Sequence, residues 1–116
     1  MNPQPSATVT DHVIPAEAQG QAVNDVAALV HRAAQRDELT EEAILSDLSD
    51  AMLGAVYLGY ALAVAQDLTG QAREDAARRT AYQKLCEGGA PGLAYRTVLR
   101  LWGRPRRRRA TSAPGV

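Results

Sequence analysis

Apolar residues recur every three or four positions between residues 40 and 68, a spacing that predicts one long helix. The stripe contains seven positions separated alternately by four and three residues: Ile44, Leu48, Ala51, Ala55, Leu58, Leu62 and Ala65. Such a heptad pattern is typical of a helix that packs along its length against a neighbour. A second apolar stripe beside it, which includes Gly59, indicates burial on more than one side. We therefore predict that this helix forms the centre of the fold.

The same seven positions predict an interface between copies of the chain. A chain of 116 residues offers few other helices to cover both stripes. The helix predicted next along the chain has mainly alanines on its apolar side, so it can bury little surface. We therefore expect a homo-oligomer in which the stripe is the contact surface.

Weaker helical patterns lie on both sides of the central helix. They cover residues 21–36, 71–86 and 91–102, and Gly88 and Gly89 separate the last two because glycine favours a helix end. The chain has 22 alanines and no phenylalanine, a composition that suits closely packed helices better than a β-sandwich. We predict an all-α fold, a small bundle of three to four helices around the long central one.

The ends of the chain differ in composition from its middle. Residues 1–14 are rich in Pro, Ser and Thr, and residues 104–116 combine an arginine run with small residues. Neither segment can bury enough apolar surface to fold. We predict a helical domain over residues 15–103, a disordered arm before it and a basic, disordered tail after it.

Charge is segregated along the chain although the net charge is zero. Residues 1–75 carry three basic and twelve acidic side chains, and residues 76–116 carry ten basic and one acidic, so the net charges are −9 and +9. Such asymmetry indicates an anionic partner for the basic part or pairing between the two parts. The acids expected to attract the tail lie around the start of the central helix: Glu38, Glu41, Glu42, Asp47 and Asp50.

The basic C-terminal block is the strongest functional signal. Its candidate anion-binding residues are Arg96, Arg100 and Arg104, one helical turn apart, and Arg106, Arg107, Arg108 and Arg109. Guanidinium groups bind phosphate oxygens, and such contacts supply most sequence-independent affinity for nucleic acid. Thr97 is the one uncharged polar candidate for reading bases on this helix.

We accordingly predict a small, non-enzymatic nucleic-acid-binding or regulatory accessory protein. The alternative is a helical interaction or assembly protein, such as a scaffold, chaperone or inhibitor, whose basic tail docks on an acidic protein surface. An anionic membrane would also attract arginines. We do not expect a membrane partner, because the longest uncharged run, residues 51–66, is shorter than the roughly 20 residues that span a bilayer.

No constellation in the sequence indicates catalysis, a cofactor or a metal. Glu38 and Glu41, like Asp47 and Asp50, have a spacing that could serve Mg²⁺, but acids also favour the first turn of a helix. His12 and His31 have no second ligand nearby. Cys86 is the single cysteine, which predicts a chain without an internal disulfide and a cytoplasmic location.

Overall fold

Short turns separate five helices in the part of the chain that the structure describes. The computed structural model describes residues 14–104. Its helices are α1 (Ala16–Asp37), α2 (Glu41–Ser46), α3 (Asp50–Ala65), α4 (Gly70–Glu87) and α5 (Pro91–Trp102), and these residues contain no strand. The predicted all-α bundle is confirmed. The predicted arm before residue 14 and the predicted tail after residue 104 lie outside the described residues.

The prediction of one continuous helix over residues 40–68 is wrong, because residues 47–49 interrupt it and separate α2 from α3. Thr40 begins α2 as expected, with its hydroxyl accepting from the Ala43 amide at 3.0 Å. Ser49 is the N-cap of α3 in the same way. Its Oγ accepts from the Met52 amide at 3.3 Å, and its own amide donates to Met52 Sδ at 3.2 Å. This second cap ends the continuous helix and starts a new one.

The seven positions of the predicted stripe differ in their exposure to solvent, because the helix is interrupted. Ile44, Leu48 and Ala55 are buried within the chain's own core. Ala51 is exposed, and the three positions farther along α3 are half-buried: Leu58, Leu62 and Ala65. The oligomer interface over the seven positions stays a prediction.

Helix α3 is the centre of the bundle, as the second apolar stripe predicts. It packs against α4 on one side and α1 on the other, and α5 packs mainly against α4. Small residues make the packing close. A Cβ atom built on Gly59 would lie 2.5 Å from the Ala77 carbonyl oxygen on α4. Among the described helices, none is both long enough and apolar enough to cross a membrane.

Four helices meet at one carboxylate, in what we call the Glu74 cluster (Glu74, Tyr60, Trp102 and Arg32). Glu74 Oε1 accepts from the Tyr60 hydroxyl at 2.5 Å, from Trp102 Nε1 at 3.1 Å and from Arg32 Nη2 at 3.2 Å. The Tyr60 and Trp102 rings stack with centroids 6.2 Å apart. Burial and the neighbouring carboxylate raise the pKa of Tyr60. The cluster fixes the end of α5 against α1, α3 and α4.

Candidate anion-binding site

An open cleft of about 800 Å³ lies where the ends of α1 and α5 meet the α2–α3 junction. We call it the arginine cleft, and its lining is Arg36, Asp37, Asp47, Leu48, Met52, Arg96, Leu99, Arg100, Gly103 and Arg104. Four arginines face two aspartates, so the lining carries a net positive charge of two.

Helical periodicity brings three of the predicted arginines to this cleft. Arg96 and Arg100 are four residues apart on α5 and therefore neighbours on one face. Arg104 follows two residues after the end of the helix. All three line the cleft, as their spacing in the sequence suggested. The remaining predicted arginines, residues 106–109, lie outside the described residues.

Arg36 was not among the predicted site residues, and its role here is to hold the end of α5. Its Nη2 donates to the Arg100 carbonyl oxygen at 2.8 Å, and its Nη1 donates to the Leu101 carbonyl at 3.4 Å. These carbonyls belong to the last turn of α5, where the helix dipole favours a cation. The guanidinium also donates to both Asp37 carboxylate oxygens at 3.0 Å. Arg36 therefore stabilises the end of α5, and its guanidinium is already hydrogen-bonded within the protein when no ligand is bound.

Arg100 is already paired with acids of its own chain. Its Nη2 lies 2.7 Å from Asp47 Oδ2, and its Nη1 lies 3.5 Å from Asp37 Oδ2. The hydrogen bond from Arg36, with the charges of Arg36 and Arg100, holds the pKa of Asp37 below its usual value. Asp47 is one of the acids expected to attract the basic tail, and among the described residues it contacts Arg100 on α5.

Arg96 and Arg104 are the arginines most accessible to a ligand. Both are exposed. Within residues 14–104, neither forms an ion pair. They flank the paired Arg100, so an incoming anion meets two accessible guanidinium groups first.

Thr97 does not face the cleft and cannot read bases. It is completely buried, and its hydroxyl donates to the Leu93 carbonyl at 2.7 Å. Thr97 lies three residues after Ala94 and four residues before Leu101, so it shares the face of α5 on which both of these side chains are buried. An α5 bound to nucleic acid through this cleft would contact it with arginines rather than with base-reading amide or hydroxyl groups.

A second, apolar groove of about 340 Å³ lies between α3, the end of α4 and the start of α5. Ala51, Ala55 and Leu58 from the predicted stripe line it together with Leu85 and Leu93. We call it the apolar groove. The structure thus brings together part of the predicted oligomer interface, while Leu62 and Ala65 do not line this groove.

The paired acids noted in the sequence do not form a metal centre. Glu41 Oε2 lies 2.7 Å from His31 Nδ1, where it links α2 to α1, and Asp47 contacts Arg100. Among the described residues, no three His, Cys, Asp or Glu side chains are placed to hold a metal ion.

Comparison with known proteins identifies no relative. No protein-family model matches the chain, and no match is found among curated proteins or solved structures. The chemistry of the arginine cleft therefore has to be derived from its own geometry.

Proposed function

We propose that the chain is a non-enzymatic nucleic-acid-binding protein that contacts phosphate groups through the arginine cleft. One observation carries this proposal: four arginines from α1, α5 and the segment after it surround one open cleft, and two of them, Arg96 and Arg104, are exposed and unpaired within residues 14–104. Guanidinium forks match phosphate oxygens in geometry and charge. The arginine run of residues 106–109 follows directly in the sequence and would extend the same contact.

The binding is independent of base sequence in this proposal. Thr97 is in the core, and arginine contacts to phosphate position a nucleic acid without specifying its bases. The protein would act in the cytoplasm, where its single cysteine stays reduced.

Neutralising the two accessible arginines should weaken binding and its salt dependence. In the double variant Arg96→Gln/Arg104→Gln, we expect the slope of log affinity against log salt to fall by about 1.8 on duplex DNA or about 1.4 on a single strand. Each phosphate contact contributes about 0.9 or 0.7 to that slope. Fluorescence anisotropy of a labelled oligonucleotide at several salt concentrations measures it.

A matched control removes the same charge elsewhere. Arg78 and Arg79 lie on α4, outside the cleft lining, so Arg78→Gln/Arg79→Gln should leave most of the slope intact. Removing residues 104–116 should abolish binding and leave the helical circular dichroism spectrum unchanged. Equal loss in the two double variants, or full binding by the truncated chain, would contradict the proposed function.

Asp47 should act as an internal competitor of the ligand. Its Oδ2 lies 2.7 Å from Arg100 Nη2. Asp47→Asn therefore removes the negative charge that competes with a phosphate group for this guanidinium. Exposed ion pairs contribute about 0–1 kcal/mol, and we expect binding to tighten by up to about fivefold. Asp50→Asn makes the same charge change at an exposed position outside the cleft lining. Equal affinities of these two variants would show that net charge alone matters.

A second candidate function is assembly with other copies of the chain through the apolar groove. The supporting observation is that Ala51 and Leu58, both accessible on α3, line this groove together with Leu93. A homo-oligomer would cover these side chains and could present several arginine tails to one acidic partner surface. Sedimentation at micromolar concentration tests it, and a monomer would remove this candidate.

A further inference from the structure

The arginine cleft offers more than charge, because three apolar side chains line it together with the arginines. Leu48 and Met52 are almost completely buried, so Leu99, which is half-buried on α5, is the most accessible of the three. A phosphate group makes no favourable contact with such a side chain. A flat, partly apolar group attached to the phosphate, such as a nucleobase, can cover the accessible part of Leu99.

An exposed aromatic ring lies on α5 next to two residues of the cleft lining, although the ring is not itself part of that lining. Tyr95 is 56% exposed, far from the buried state that is usual for a large ring. It precedes Leu99 by one turn of α5, so the two side chains are neighbours on one face of the helix. Arg96 is the next residue. An accessible ring thus directly precedes, on α5, an accessible guanidinium group that lines the cleft.

We propose that the arginine cleft binds single-stranded nucleic acid, with a base stacked on Tyr95 and neighbouring phosphates on Arg96 and Arg104. This inference rests on the proposed function and names its ligand class. Proteins that bind single strands without sequence preference combine a basic groove with aromatic rings on which bases stack. In a duplex the base faces are covered by their neighbours, so a duplex can use the arginines but not Tyr95.

Binding to three probes separates stacking from charge: a single-stranded oligonucleotide, the duplex of the same sequence and inorganic polyphosphate. For Tyr95→Ala we expect single-strand affinity to fall by about 5- to 150-fold. Affinity for polyphosphate and for the duplex should change by less than about twofold, because stacking of an unpaired base is the contact that is lost. Tyr95→Phe keeps the ring and should bind the single strand nearly as well as the unaltered chain.

Tyr82 provides the matched control. It is 42% exposed on α4, a helix that contributes no residue to the lining of the arginine cleft, so Tyr82→Ala should leave all three affinities unchanged. The inference is overturned if Tyr95→Ala binds the single strand normally, or if it loses polyphosphate binding equally. Failure of the unaltered chain to bind any of the three probes would instead overturn the proposed function, and this inference with it.

Discussion

Substitution of Gly59 by alanine is expected to lower the free energy of unfolding by about 1–3 kcal/mol, the range for overpacked cores. The added Cβ would lie 2.5 Å from the carbonyl oxygen of Ala77 and 3.1 Å from its Cα. Both atoms belong to the backbone of α4, so no side-chain rotation relieves the contact. Helices α3 and α4 would have to move apart, which loosens the packing around α3.

The same substitution at Gly54 provides the control, because Gly54 lies on the same helix and a Cβ there meets nothing within 4 Å. Alanine is favoured over glycine inside a helix by about 0.5–1 kcal/mol, so Gly54→Ala should stabilise the protein. Thermal unfolding followed by circular dichroism measures both, since 1 kcal/mol shifts Tm by about 4–8 °C in a domain of this size. Equal stability of the two variants would show that α3 and α4 are not in close contact.

This pair of glycines illustrates how much of the fold could be predicted. The alanine-rich, phenylalanine-free composition predicts that helices approach closely, and the second apolar stripe places Gly59 on a buried side. The sequence does not distinguish Gly59 from Gly54, however. That difference depends on which face of α3 meets α4, and tertiary contacts decide it.

The break between α2 and α3 has a local cause that the apolar spacing hides. That spacing continues without interruption from Ile44 through Leu48 to Ala51 and so predicts one continuous helix. Ser49 lies within this run and offers the same side-chain acceptor as the N-cap Thr40. The N-cap at Ser49 therefore decides where α3 begins, and the apolar spacing does not.

Only the part of the arginine cleft that lies on α5 could be predicted from the sequence. The one-turn spacing of Arg96 and Arg100 places them on a common face whatever the rest of the fold does. Arg36 and Asp47 also line this cleft, although they precede Arg100 by 64 and 53 positions in the sequence, and no local pattern encodes their contacts with it. The paired state of Arg100 is therefore a consequence of tertiary structure.

Removal of the Glu74 carboxylate should have the second large effect on stability. In Glu74→Ala the Tyr60 hydroxyl, which belongs to a completely buried residue, loses its acceptor together with Trp102 Nε1. An unsatisfied buried donor costs about 1–3 kcal/mol, and we expect a loss of about 2–3 kcal/mol in the free energy of unfolding. Trp102 is the only tryptophan of the chain, so its fluorescence should report the loosened cluster directly.

Asp75→Ala is the control, because it removes the same charge from the next position of α4, where Asp75 pairs with Arg78 at the surface. Exposed helix pairs of this kind contribute about 0.3–0.5 kcal/mol. If Glu74→Ala were no less stable than Asp75→Ala, the three hydrogen bonds to Glu74 would have no net stabilising role. Glu74→Gln keeps an acceptor oxygen, so its free energy of unfolding should lie between those of Glu74→Ala and Asp75→Ala.

The pH dependence of stability tests the role of the Tyr60 hydroxyl in the Glu74 cluster. Burial, followed by the hydrogen bond and the charge of Glu74, raises the pKa of the folded Tyr60 above the ordinary value of 10.0. The neutral hydroxyl therefore stabilises the fold fully below about pH 10, and this contribution is lost as rising pH ionises the unfolded chain. Denaturant titrations should show stability falling above about pH 10 more steeply in the unaltered chain than in Tyr60→Phe, which has no hydroxyl to ionise. Identical alkaline slopes in the two proteins would mean that Tyr60 is not held neutral by the core and Glu74.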